Sequence, residues 1–231
     1  MKTILITSGK SGVGTSSVAA ALCGALVARE KRVLLCEVSA GFRSLGDLLG
    51  VEVETLYDIG DVLEGRCSLA DAAVEVPRCG FSLVQGTARL GWAPRTDALR
   101  ALLKVTGDRY DFLLMDCPAG FGTLQSRLAP CVNLLLLLTT LQPAALGATA
   151  KAGEWWEEQG AKKQKVLFNQ VGRRMPENTS VRDLDEALDR IGAGLIGIIP
   201  PERELNDSAA IRNIAARLCG ESRPLLPIYL K

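Results

Sequence analysis

Ser8-Gly9-Lys10-Ser11-Gly12-Val13-Gly14-Thr15-Ser16-Ser17 decides the reading of this chain. An apolar run, Thr3 to Thr7, precedes it, and an alanine-rich segment of helical spacing, Val18 to Arg29, follows it. The three pieces predict a buried strand, a glycine-rich turn and a helix. In that order they aim backbone N–H groups and the positive end of a helix dipole at the space above the turn, which makes a phosphate site.

The generic phosphate-loop pattern is G-x-x-x-x-G-K-[ST], whose lysine contacts the terminal phosphates and whose hydroxyl ligates magnesium. Here Gly9 and Gly14 hold the glycine positions, Ser16 keeps the hydroxyl, and Thr15 stands where the lysine belongs. A lysine does occur in the loop, as Lys10, directly after the first glycine. Lys10-Ser11-Gly12-Val13-Gly14-Thr15-Ser16 thereby resembles the deviant loop K-G-G-x-G-K-[ST] of the MinD/ParA class, departing from it at the second lysine. The resemblance implies that Lys10 is the signature lysine, reaching phosphates commonly bound by a dimer partner. It also implies that Gly9 to Ser17 cradle the phosphates of ATP or ADP.

Four further segments carry the resemblance in the expected order. Leu34 to Gly50 is similar to the family's second strand and switch I, with Glu37 on the first aspartate of D-x-D and Ser39 on the second. In the family that second aspartate positions the attacking water. A serine hydroxyl can hydrogen-bond water but is no base near neutral pH. Tyr110 to Gly120 resembles the Walker B strand and switch II, so that Asp116 holds Mg2+, with Ser16 and Glu37 completing the expected metal set. Leu134 to Leu138 followed by Thr139-Thr140-Leu141-Gln142-Pro143 is like the family's T-T-x-P segment. In the last segment Asn169 falls on the residue that reads the adenine edge, and Pro200 and Pro201 border the base. The resemblance runs from residue 1 to about residue 220, and it leaves Lys10 and a degenerate Ser39 as the positions of chemistry.

Apolar runs and helical stretches alternate along the chain, which predicts an α/β fold: three layers, a mostly parallel twisted sheet with helices on both faces. Strands are expected near residues 3 to 7, 33 to 37, 81 to 85, 111 to 116, 132 to 138, 165 to 169 and 195 to 199. Helices are expected near 15 to 29, 96 to 106, 122 to 128, 143 to 159, 181 to 191 and 208 to 219, with short ones at 44 to 49 and 58 to 64. The strands read as continuous Val, Leu and Ile, as in sheets buried on both faces. The 231 residues fit one such domain, with 221 to 231 as an apolar, proline-containing tail.

Composition narrows the function classes. The longest apolar runs are too short to cross a bilayer, and Met1-Lys2-Thr3 leads straight into the first strand where a secretory signal would need a cleavage site. Seven scattered cysteines without a C-x-x-C pair fit reduced thiols in a cytoplasm. They also lack the paired spacing of iron–sulfur relatives, and there is no histidine. With 27 basic and 26 acidic residues the net charge of +1 does not support DNA binding. Pro224 and Pro227 break the tail, so a membrane-surface helix of the MinD kind is not expected there; peripheral membrane or cell-pole contact would need a partner or an untypical tail. Trp155 and Trp156, adjacent on a helix, point about 100° apart. Either one faces the sheet while the other forms part of an interface, or both tuck along a wide apolar stripe.

Three functional classes follow. The first is a nucleotide-dependent homodimerisation switch with weak or absent ATP hydrolysis, positioning a division site, chromosome, flagellum or pilus with an unidentified protein partner. The second is a non-hydrolysing pseudo-ATPase scaffold of the MinD-like pilus-assembly branch. The third, an ATP-dependent metabolic ligase of the same superfamily, is disfavoured by Thr15, because phosphoryl transfer uses the loop lysine to stabilise the moving group.

Overall fold

The computed structural model describes residues 1–41, 44–51, 56–172, 174–175, 179–201, 205 and 208–225. Phe42 and Arg43 of the expected switch I segment and the end of the tail lie outside the described residues. Eight strands form one sheet: β1 (Lys2–Ser8), β2 (Val33–Glu37), β3 (Val74–Glu75), β4 (Ser82–Val84), β5 (Phe112–Asp116), β6 (Leu134–Thr139), β7 (Gln164–Phe168) and β8 (Gly194–Ile198). Their order is β3-β4-β2-β5-β1-β6-β7-β8, parallel throughout except for the antiparallel β3–β4 pair. The sheet grows to one side of β1 through β5 and β2 and to the other through β6, β7 and β8. The C-terminal end of β1 is thus the switch point where ligands bind in open α/β sheets.

The helices are α1 (Thr15–Val27), α2 (Ser44–Leu49), α3 (Ile59–Leu63), α4 (Leu69–Ala72), α5 (Thr96–Thr106), α6 (Thr123–Leu128), α7 (Pro143–Glu158), α8 (Leu184–Ile191) and α9 (Ala209–Leu218). Alternate strand residues feed opposite faces of the sheet, because successive side chains on a strand point to opposite sides. Ile4, Ile6, Leu35, Leu114 and Leu136 pack with Leu22 and Leu26 of α1 and Ile211 and Ile214 of α9. Leu5, Leu34, Leu113, Met115 and Leu135 pack with Ile59, Leu99, Leu102, Leu128 and Trp156 on the other face. A third cluster joins β7 and β8 to α7 and α8 through Phe168, Val166, Leu146 and Ile191. Both faces being covered explains why the strands carry no polar alternation.

Of the strands and helices just given, two short ones were not expected. α4 had a legible signal: Ser68 and Asp71 form a reciprocal capping box, with Asp71 N donating to Ser68 Oγ and Ser68 N to Asp71 Oδ2. β3 had none, since two residues cannot display a period of two, and its pairing is fixed by β4. The two tryptophans differ in burial but share one apolar cluster. Trp156 is 1% exposed in the core, while half-buried Trp155 stacks edge-on against it and against Phe121. The tail is pinned as far as Pro224, whose carbonyl accepts from Arg217 Nη2 at 2.7 Å while Arg217 Nη1 donates to Ile196 O at 2.7 Å. Among the described residues no helix is long and apolar enough to cross a membrane.

Candidate functional site

The loop between β1 and α1 needs glycine at three places for two reasons. Gly12 and Gly14 have φ of 81° and 94°, where a side chain is strained. Gly9 instead lies under α7: a Cβ there would sit 2.2 Å from the backbone carbon of Ala148. Gly9→Ala should therefore lower stability by about 1–3 kcal/mol, the usual range for overpacking against groups that cannot yield. Denaturant unfolding checks this, and an unchanged midpoint would show that α7 does not rest on the loop.

The loop is braced from within. Ser8 Oγ donates to Lys10 O at 2.9 Å, Thr15 Oγ1 to Ser8 Oγ at 3.4 Å, and Asn169 Nδ2 to Val13 O at 2.8 Å. Gly14, the N-cap of α1, has no side chain to cap the helix, and the first turn contains no acidic residue. The positive end of α1 is thus not neutralised by its own side chains, which leaves it suited to an anion.

Opposite the loop stand two carboxylates in register, Glu37 ending β2 and Asp116 ending β5. Ser16 Oγ donates to Asp116 Oδ2 at 2.6 Å. Burial pushes the Asp116 carboxyl up to about 6; the charge of Glu37 adds to the rise and the Ser16 hydrogen bond opposes it. Glu37 is 2% exposed, and its two oxygens accept from Leu45 N at 3.4 Å and Gly86 N at 3.1 Å. It therefore staples the start of α2 and the β4–α5 connection to the end of β2. Beyond it Ala40 bridges Thr87 in parallel: Thr87 N donates to Ser39 O at 3.2 Å and Gly41 N to Thr87 O at 2.7 Å.

These pieces enclose a cleft of about 650 Å³, within the range of small-ligand sites. Of the residues expected at a site, Ser11, Gly12, Gly14, Thr15, Ser16, Ser17, Glu37, Ser39 and Asp116 line it. Ser8, Ala40, Cys117, Pro118 and Ala119 also line it, although sequence reasoning did not select them. Gly9, Val13, Lys10, Asn169, Pro200 and Pro201 do not. Gly9 and Asn169 instead support the loop from beneath, and Val13 is buried in the core. Lys10 is exposed at the loop's outer edge. Pro200 and Pro201 follow β8, three strands from β1, beside residues 202–204, which lie outside the described residues.

The oxygen set fits magnesium. Cis ligands of an octahedral Mg2+ lie about 2.9 Å apart when each is 2.0–2.1 Å from the ion, and the Ser16–Asp116 oxygens need to part only slightly from 2.6 Å. Glu37 accepts one backbone hydrogen bond on each oxygen, and each oxygen keeps a further lone pair.

Glycine loop, uncapped helix start, hydroxyl–carboxylate pair and strand order together define the P-loop nucleotide-hydrolase class of fold. A sequence profile described as "ParA: NUBPL iron-transfer P-loop NTPase" matches residues 1–185. The chain belongs to this ParA/MinD family of P-loop NTPases. It is 29% identical to the septum site-determining protein MinD of Bacillus subtilis over 96% of this chain and 90% of that protein. The MinC:MinD cell division protein complex of Aquifex aeolicus contains a chain that superimposes with a TM-score of 0.86 at 28% identity, covering 99% of this chain and 100% of that one. MinD complexed with Mg-ADP from Pyrococcus horikoshii shares the fold, with a TM-score of 0.76 at 23% identity over 94% and 95% of the two chains. As to the iron in the profile's description, no group of three or more His, Cys, Asp or Glu among the described residues is placed to hold a metal ion.

Proposed function

We propose that this protein is a nucleotide-responsive switch for intracellular positioning, which binds ATP with Mg2+, dimerises around it and hydrolyses it slowly or not at all. The observation that carries the reading is the division of labour around the cleft. The groups suited to binding are assembled there: the loop, the free end of α1, and Ser16 with Asp116. The two positions that would drive chemistry are occupied by Thr15 and Ser39, which carry no charge. Ser16 and Asp116 would hold Mg2+, which when bound supplies charge neutralisation of the phosphates, while Glu37 stiffens the wall behind them. The exposed position of Lys10 favours a contact to phosphate bound by a second copy. The names of the MinD relatives, septum site-determining proteins, support positioning as the role.

Titration calorimetry with Mg·ATP, light scattering and phosphate release test this together. Expected are saturable binding at millimolar nucleotide, a mass near twice that of the monomer in its presence, and little phosphate release. No binding at millimolar nucleotide would sink the switch. Binding without a change in mass would favour the scaffold, and brisk turnover would refute slow hydrolysis.

A further inference from the structure

No lysine or arginine is among the described residues that line the cleft. Two carboxylates, Glu37 and Asp116, stand on one wall, and the other oxygen-bearing side chains of the lining are serine and threonine hydroxyls. A triphosphate that has taken up one Mg2+ is still an anion. Seating it beside two carboxylates leaves negative charge that the α1 dipole, equivalent to about half an elementary charge, does not offset. The cleft therefore calls for a cation besides Mg2+.

Thr15 marks where that cation is missing. A lysine at this position would carry an ammonium on a flexible stem to the terminal phosphates. Threonine stops at its hydroxyl, which leaves the space of the ammonium between the first turn of α1 and the phosphates. The floor of that space is made of neutral oxygens: Thr15 Oγ1 donates to Ser8 Oγ at 3.4 Å, and Ser8, 3% exposed, donates through Oγ to Lys10 O at 2.9 Å. A hydroxyl has one proton and two lone pairs, so after these bonds Thr15 Oγ1 keeps two lone pairs and Ser8 Oγ keeps one. Neutral oxygens of this kind can replace the hydration shell of a potassium ion. Ser16, the next residue on α1, points about 100° away and is bonded to Asp116, so the Mg2+ position and the Thr15 position are separate.

We infer that Thr15 and Ser8 form the floor of a potassium site completed by the terminal phosphates of bound nucleotide, so that a monovalent cation of ammonium size supplies the charge that a loop lysine would carry. This rests on the cleft being a nucleotide site and adds a second cation to it. Without nucleotide the positive end of α1 opposes the ion. Potassium and Mg·ATP then bind interdependently, each raising the affinity of the other by the same factor.

Calorimetry of Mg·ATP binding in the chloride salts of potassium, ammonium and tetramethylammonium tests this. Equal ionic strength holds screening constant, and tetramethylammonium is too large for the place. Wild type is expected to bind about tenfold more tightly in potassium or ammonium, the lower end of what a charge-assisted contact contributes. T15K, whose own ammonium fills the place, loses that preference, as does T15V, which resembles threonine in shape but has no hydroxyl; T15S keeps it. Equal wild-type affinity in all three salts overturns the inference and leaves the nucleotide reading intact, as does a preference that survives in both T15K and T15V. Absence of heat in every salt overturns nucleotide binding and the potassium site with it. T15K carries the test alone if T15V fails to fold.

Discussion

Replacing Thr15 by lysine tightens Mg·ATP binding by about tenfold to a hundredfold. A charge-assisted hydrogen bond contributes roughly 1.5–3 kcal/mol, and each 1.4 kcal/mol is about tenfold in affinity. Little is lost in exchange, because the Thr15 hydroxyl makes a long contact of 3.4 Å to Ser8 and its side chain already faces the cleft. The same substitution acts with the opposite sign on the empty protein. A cation in the first turn opposes the positive end of α1, at a cost of about 0.3–1 kcal/mol. T15K should therefore be slightly less stable without nucleotide and clearly more stabilised by it, since the gain in affinity outweighs the repulsion. Calorimetry and thermal melts with and without Mg·ATP check both signs. Unchanged affinity would mean that position 15 does not face the phosphates.

Asp116→Asn should abolish a pH dependence of stability that the wild type shows between about pH 4 and pH 6. The Asp116 carboxyl titrates at about 6 in the folded chain against its ordinary 3.8. Within that window the folded state holds a proton that the unfolded state has released, so the contribution of this group to stability falls as pH rises. The stability is fully present below the lower value and is gone above the upper one. The separation of the two values corresponds to a loss on the order of 3 kcal/mol. Asparagine, neutral throughout and still able to accept from Ser16, escapes the loss. The stability of D116N relative to wild type should thus rise by that amount from pH 4 to pH 7 in metal-free buffer. Other carboxylates, such as Glu64, held down to about 2 mainly by the Arg89 hydrogen bond, titrate in both proteins and cancel in the difference. Added Mg2+ should stabilise wild type at pH 7 and leave D116N unaffected. Parallel pH profiles of the two proteins would refute the buried, proton-holding Asp116.

The core and the loop were legible because each is a local pattern with a single structural solution. Continuous runs such as Leu134 to Leu138 predict strands covered on both faces, and the structure buries alternate leucines against different helices. Gly12 and Gly14 announce the positive φ values that the loop adopts. Asp116 and Ser16 follow from motif position, and they meet at hydrogen-bond distance. Motif position makes Asn169 a contact to a base, and the structure adds a bond from its buried amide to Val13 O under the loop. It places Glu37 at a metal position, and the structure adds that the Glu37 oxygens also accept from Leu45 N and Gly86 N. A motif marks where a side chain starts but not which neighbour satisfies it, and a buried polar group takes whichever donor or acceptor the fold brings closest.

Thr87 shows the other limit. It is fully buried and bridges switch I, yet nothing in Gln85-Gly86-Thr87-Ala88 marks it, since its partner Ala40 is 47 residues away. The sequence by itself determined the layered α/β fold, the site at the C-terminal end of the first strand, and the absence of the usual loop lysine, because period, glycine placement and residue identity are all local. Only the tertiary structure decided that Asp116 is buried enough to keep its proton up to about pH 6, that Gly9 is pressed against α7, and that Phe121 meets Trp155 beside the cleft wall. Those properties depend on distances between segments far apart in the chain, which are set when both sheet faces close over their helices.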